Sequence, residues 1–208
     1  MITFFKRNYL WILLIGSLVG MNETITGSMN FPYRSVVLSA ITLSILFFSR
    51  FYFPKPGTSL LIMMIAVIFK ANTIGFNNCS STFFLCGPTA LLLLGIGFEV
   101  FSSIFIKHKI FNLYNITLSC LMTSMLAFSL FAIMNTYILN SWDTSRLLQY
   151  IFIKGTLTAI VSSVICITGL YLIKTFNNVK LTKLNPYILN SILGFITLAL
   201  WLFGSFSS

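Results

Sequence analysis

Acidic residues are what this sequence lacks most: Glu23, Glu99 and Asp143 are its three carboxylates, set against 13 lysines and arginines and one histidine in 208 residues. Charged residues of all kinds make up 8% of the chain, where an ordinary soluble domain has about 25%. Too few charges remain to build a water-facing surface. Paired aspartates, a Ser-His arrangement, a His-Glu-x-x-His helix and a nucleotide-binding Gly-rich loop are missing as well. Membrane proteolysis and ATP hydrolysis therefore lack their usual apparatus. His108 falls in the basic stretch Lys107-His108-Lys109, a poor setting for a metal ligand or a catalytic base. No metal and no cofactor are expected, and the chain does not read as an enzyme.

What the sequence has in abundance is apolar length. Apolar residues account for 57% of the chain, in runs that reach the roughly 20 residues needed to cross a hydrocarbon layer about 30 Å thick. The runs predict an all-α, single-domain bundle over residues 1–208, with about seven crossings near 8–29, 33–52, 57–74, 86–106, 112–139, 146–173 and 186–206. Phe31-Pro32, Pro54-Lys55-Pro56-Gly57, Cys86-Gly87-Pro88 and Asn185-Pro186 punctuate the runs and read as helix boundaries. Lys6 and Arg7 before an apolar stretch imitate a secretory signal, but Glu23 and the lack of an Ala-x-Ala site argue against cleavage.

Cytoplasmic loops accumulate lysine and arginine because translocating them is disfavoured. Alternate loops place Lys6, Arg7, Arg50, Lys55, Lys107, Lys109, Lys174, Lys180 and Lys183 on one side, and Arg34, Lys70, Arg146 and Lys154 on the other. The expected topology is a multi-pass protein of the inner or plasma membrane with a cytoplasmic N-terminus. The net charge of +10 is then a topology signal and an attraction to anionic lipid, and no nucleic-acid partner is needed to explain it.

A charged side chain at membrane depth costs a few kcal/mol and so tends to face a cavity or a partner. Five such residues stand out: Glu23, Arg34, Lys70, Glu99 and Lys154. Counted along their helices, all five fall in the middle or outer half of the bilayer, which predicts a polar pocket opening outward and no charged path to the cytoplasm. Snorkelling to headgroups is the plainer reading of Arg34, Lys70 and Lys154. Glu99 shares a helix face with Gly95, Ser102 and Ser103, which turns it toward the bundle interior, where Lys70 or Lys154 could neutralise it.

Small residues mark close helix contacts: Gly16 with Gly20, Ser119 with Thr123 and Ala127, and Gly155 with Ala159 and Ser163. Most of these predict internal packing, and Gly16-x-x-x-Gly20 is in addition a candidate face for a partner subunit. Cys120 and Cys166 read as apolar packing residues. Cys79 and Cys86 bracket an outer loop, where a disulfide or two free thiols are both open.

The small-x-x-x-small pair in the first helix, the polar connection into the second, the Pro-Gly start of the third and Gly87-Pro88 at the fourth together resemble the S-components of energy-coupling factor vitamin transporters. The likeness covers roughly residues 8–175. It implies a six-helix core, to which 186–206 would add a seventh helix. It also implies docking of a transmembrane coupling subunit on the first helix, at Gly16 and Gly20, and capture of a small ligand near the outer surface beside Glu23 to Arg34. Cytoplasmic ATPases would supply the energy. The expected function is thus substrate binding for uptake, with Glu23, Arg34, Lys70, Glu99 and Lys154 as candidate ligand contacts. The alternatives are a non-catalytic membrane assembly subunit and a membrane-embedded enzyme acting on a lipid-linked substrate.

Overall fold

In a bilayer no water can satisfy exposed backbone groups, so an apolar chain closes its hydrogen bonds within each segment and becomes helical. The computed structural model describes residues 2–28, 32–73, 81–105, 112–138, 142–176 and 194–202, and among them the regular structure is entirely helical. The elements are α1 (Ile2–Ser28), α2 (Arg34–Tyr52), α3 (Thr58–Thr73), α4 (Ser81–Phe105) and α5 (Leu113–Ile133), which runs on through a π-helical turn at Met134–Ile138. Next, α6 (Thr144–Gln149) passes through a second π-helical stretch, Tyr150–Gly155, into α7 (Thr156–Phe176). A last helix, α8, covers 194–202. Five of these rods are long and apolar enough to cross a membrane, and α3 is a shorter apolar helix.

Pro32 and Gly57 fall between helices as expected, Gly57 with a left-handed φ of 83° that a side chain would strain. The boundary expected at Gly87-Pro88 is not one. Helix α4 begins at Ser81 and carries Pro88 inside it, about two turns from the start, where the missing N–H forgoes one backbone bond. Cys86 therefore belongs to a helix. Cys79 lies outside the described residues, so the Cys79–Cys86 question does too, as do Lys107-His108-Lys109 and the ends of the 186–206 segment.

The rods close into a ring. Helix α1 packs on α3, α3 on α4, α4 on α5, α5 on α7, α7 on α2 and α2 back on α1, while α2 also touches α3 and α4 across the ring. Leu43, Leu46 and Phe47 of α2 meet Ile62 and Met63 of α3, Leu91 and Phe98 of α4, and Cys120 and Cys166 of α5 and α7 in one buried cluster. The middle of the ring is filled by side chains. Trp201 seats α8 on the outside, donating from its indole Nε1 to Ser17 Oγ at 2.8 Å and meeting Phe69 edge to face at 5.2 Å.

Lipid tails are as apolar as leucine, so helices associate in a bilayer through close packing and interhelical hydrogen bonds. Glycines set the closest approaches. A Cβ added to Gly16 would come within 2.7 Å of Ile65, and one added to Gly20 within 2.8 Å of Phe69. The Gly16–Gly20 face is thus covered by α3 of the same chain. Gly95 stands in the same relation to Met63 of α3, whereas a Cβ on Gly97 would find its nearest neighbour at 3.4 Å.

Overpacking of this kind costs roughly 1–3 kcal/mol. Gly20→Ala is expected to lower the thermal unfolding midpoint in detergent, and Gly97→Ala to leave it unchanged or raise it. Equal losses for the two variants would show that the α1–α3 approach is not what holds this seam.

Candidate functional site

Among the described residues, the charged side chains sort to the two ends of the ring. At one end, Arg50 in the last turn of α2 faces Glu99 of α4, with Arg50 Nη1 donating to Glu99 Oε1 at 3.2 Å. The same oxygen accepts the backbone N–H of Gly57 at 2.8 Å. Arg50 also donates to the Lys55 carbonyl at 2.6 Å and to Ser103 Oγ at 3.3 Å. One guanidinium and one carboxylate therefore clasp the α2–α3 connection to α4. Both side chains are largely buried, at 9% and 17% exposure, where a charge left without its partner is expensive.

This placement corrects the expectation for Glu99. Its partner is Arg50, neither Lys70 nor Lys154, and it does not belong to the other polar cluster. The physical reason is the start of α4. Beginning at Ser81 and not at residue 86, the helix carries Glu99 about 7.5 Å further along its axis than expected.

Glu23, Arg34, Lys70 and Lys154 occur together at the opposite end. Glu23 is 9% exposed and attracted first by Lys70 and then by Arg34. A Cβ on Gly87 would lie 3.0 Å from Glu23 Oε1 and 3.9 Å from Lys70 Cε, so Gly87 of α4 is the wall against which the α1 carboxylate and the α3 ammonium sit. Beside them Asn22 reaches α2, with its Nδ2 at 3.5 Å from both the Leu38 carbonyl and Thr42 Oγ1. Thr26 Oγ1 donates to Asn22 Oδ1 at 3.1 Å.

Next to this pair lies an open cleft of about 280 Å³, lined by Tyr33, Arg146, Gln149, Tyr150, Ile153 and Lys154. Tyr33 precedes α2 in a left-handed conformation, φ 62°, uncommon for a bulky residue and worth roughly 1–2 kcal/mol of strain. Its carbonyl accepts from the Val36 and Val37 amides at 2.8 and 3.2 Å, which starts the helix. On the facing rod, Arg146 and Lys154 are eight residues apart. In an unbroken α-helix they would point about 80° away from each other. The π-helical stretch Tyr150–Gly155 puts more residues into its turn and draws both cations toward the cleft.

Aromatic rings support both. Arg146 Cζ stands 4.9 Å from the Trp142 ring centroid, and Lys154 Nζ 4.8 Å from that of Tyr150. Trp142 and Tyr150 meet at 4.7 Å, and Phe131 and Phe128 of α5 back Tyr150 at 5.8 and 5.1 Å. Such cation–π contacts contribute about 0.5–2 kcal/mol each and leave the charge in place. Lys154 lies in the repulsive fields of Arg146 and Arg34.

Four of the five candidate residues thus share one end, and the cleft adds Tyr33, Arg146, Gln149 and Tyr150. Arg146 was legible only as one of the basic residues of that side. Tyr33 and Tyr150 were hidden among many aromatics. Among the described residues, no group of three or more metal-ligating side chains occurs.

The clasp at the Glu99 end is testable. Arg50→Ala or Glu99→Ala alone is expected to destabilise the chain by roughly 3 kcal/mol, since each strands a buried charge. The double variant is expected to lose about 1 kcal/mol or more less than the sum, measured as thermal unfolding in detergent; simple additivity would dissolve the clasp. In comparisons with known proteins, no family model, no curated protein and no solved structure matches the chain.

Proposed function

We propose that this chain is the membrane-embedded substrate-binding subunit of an uptake transporter. A small solute would be captured in the cleft between Tyr33 and the Arg146–Lys154 rod, and partner coupling and ATPase subunits would supply the energy. The observation that carries the reading is an open cleft, flanked by Arg146 and Lys154, at one end of a ring whose middle is filled by Phe47, Phe98 and Met63. A cleft backed by a filled core suits binding and does not suit conduction. The clasp at the far end supports the same division of labour, because it ties down the end where an exit would have to open. At about 280 Å³ the space is near the lower limit of ligand pockets, roughly 300 Å³, so the solute is small.

In this reading the chain crosses the inner or plasma membrane seven times, α8 being part of the last crossing. Its N-terminus is cytoplasmic and the cleft faces outward, a topology that the distribution of lysine and arginine supports. The likeness to S-components of energy-coupling factor transporters agrees with a six-rod core that binds and does not hydrolyse. It needs one adjustment. With Gly16 and Gly20 covered by α3, a coupling subunit would meet other residues of α1, of which Leu18 and Ile25 are exposed.

Purification from the native host after mild detergent extraction tests this, with mass spectrometry of accompanying proteins and of small molecules released on denaturation. A coupling subunit with paired ATPases, or a stoichiometric bound metabolite, is the expected result. A solitary, empty protein would overturn the transport reading in favour of the structural or the enzymatic alternative.

A further inference from the structure

We propose that the cleft takes an anion, a small carboxylate or phosphate whose charged group sits between Arg146 and Lys154 and whose remaining surface lies against Tyr150 and Tyr33. This rests on the reading of the cleft as a solute site and names the class of solute. Acidic partners for these two cations are scarce over the whole chain. It has three carboxylates. Glu99 is at the far end, held by Arg50 and the Gly57 amide. Glu23 is set beside Lys70 against Gly87. Asp143 is the exposed residue that precedes α6, and the cleft is lined without it.

Arg146 and Lys154 therefore face one small cleft with aromatic rings as their neighbours and no carboxylate within ion-pair distance among the described residues. Arg34 adds to the same positive field. The π-helical stretch brings the two cations onto one face against their mutual repulsion, and Lys154 is only partly exposed there. Like charges held together in a partly dehydrated recess raise the local affinity for an anion. A guanidinium supplies a planar fork that matches carboxylate or phosphate oxygens, and an ammonium supplies a point charge beside it. Gln149 adds an amide able to donate, and the two tyrosines offer flat apolar surface with hydroxyl tips. A cationic solute would meet repulsion at every basic wall.

The same chemistry describes a soluble metabolite and the headgroup of an anionic lipid, and the experiment separates them. The full chain is placed in nanodiscs of phosphatidylcholine alone, and binding of phenyl phosphate, benzoate, benzyl alcohol and benzylamine is measured by calorimetry. Parallel nanodiscs containing phosphatidylglycerol are examined by native mass spectrometry for retained lipid. Arg146→Gln and Lys154→Gln are the test variants, Lys55→Gln is the charge-matched control at the other end, and ligand-free unfolding midpoints establish that each variant folds.

Saturable binding of phenyl phosphate or benzoate in phosphatidylcholine, weakened at least tenfold by either test variant and unchanged by the control, supports a soluble anion. Selective retention of phosphatidylglycerol, lost in the same variants, supports a lipid headgroup. Binding of benzylamine or benzyl alcohol as tightly as of the anions overturns the proposal. So does anion or phosphatidylglycerol binding indifferent to Arg146 and Lys154, or no binding of either. A co-purifying metabolite that is neutral or cationic would sink the anion assignment and leave the transport reading standing. Anion binding without coupling partners would do the reverse.

Discussion

Three carboxylates have to serve a chain of 13 basic side chains, and where those three go decides the character of each end of the bundle. Removing a charge from water costs several kcal/mol unless a partner or a hydrogen-bond network receives it. Glu99 does this at one end, where Arg50, the Gly57 amide and the Lys55 carbonyl knit α2, α3 and α4 together. Glu23 does it at the other for α1, α3 and α4. With these two committed and Asp143 exposed ahead of α6, Arg146 and Lys154 on the remaining rod of the ring, α6 into α7, have aromatic rings as neighbours and no carboxylate within ion-pair distance among the described residues. Closure at one end and an open basic cleft at the other are thus two results of one shortage.

Packing explains why the arrangement holds its shape. In a hydrocarbon solvent there is little to gain from hiding leucine from lipid, so small residues and interlocking aromatics decide which helices touch. Gly16, Gly20 and Gly95 let α1 and α4 pack tightly against Ile65, Phe69 and Met63 of α3, and α2 fills the middle with Leu43, Leu46 and Phe47. The solid middle gives the cleft a rigid floor.

Much of this was readable from residue order alone. Helices expected over 33–52, 57–74, 112–139 and 146–173 are found as Arg34–Tyr52, Thr58–Thr73, Leu113–Ile138 and Thr144–Phe176, because apolar length and flanking prolines act locally. The burial of Ser119, Thr123, Ala127, Ala159 and Ser163 also followed from small-residue spacing. The order of helices around the ring was not readable. That α1 lies against α3, and that Arg50 reaches Glu99 across 49 residues, are non-local facts with no periodic signal. Gly87-Pro88 misled for a related reason. Proline opens a helix readily but can also sit inside one at the cost of a hydrogen bond, so it does not fix a boundary by itself, and here the helix runs from Ser81 through Pro88. The π-helical turn that aligns Arg146 with Lys154 likewise leaves no pattern that a 3.6-residue period would reveal.

The continuous rod formed by α6 and α7 has a further consequence. Its apolar stretch, Thr144–Ile173, spans 30 residues, some 45 Å of helix against roughly 30 Å of hydrocarbon. It cannot stand upright inside the bilayer. Tilt and protrusion are the remedies for such a mismatch, and both leave the turn that bears Arg146 near the headgroups. The thickness of the host membrane then sets the surroundings of the cleft: a thinner bilayer bares its mouth, and a thicker one draws it toward the lipid.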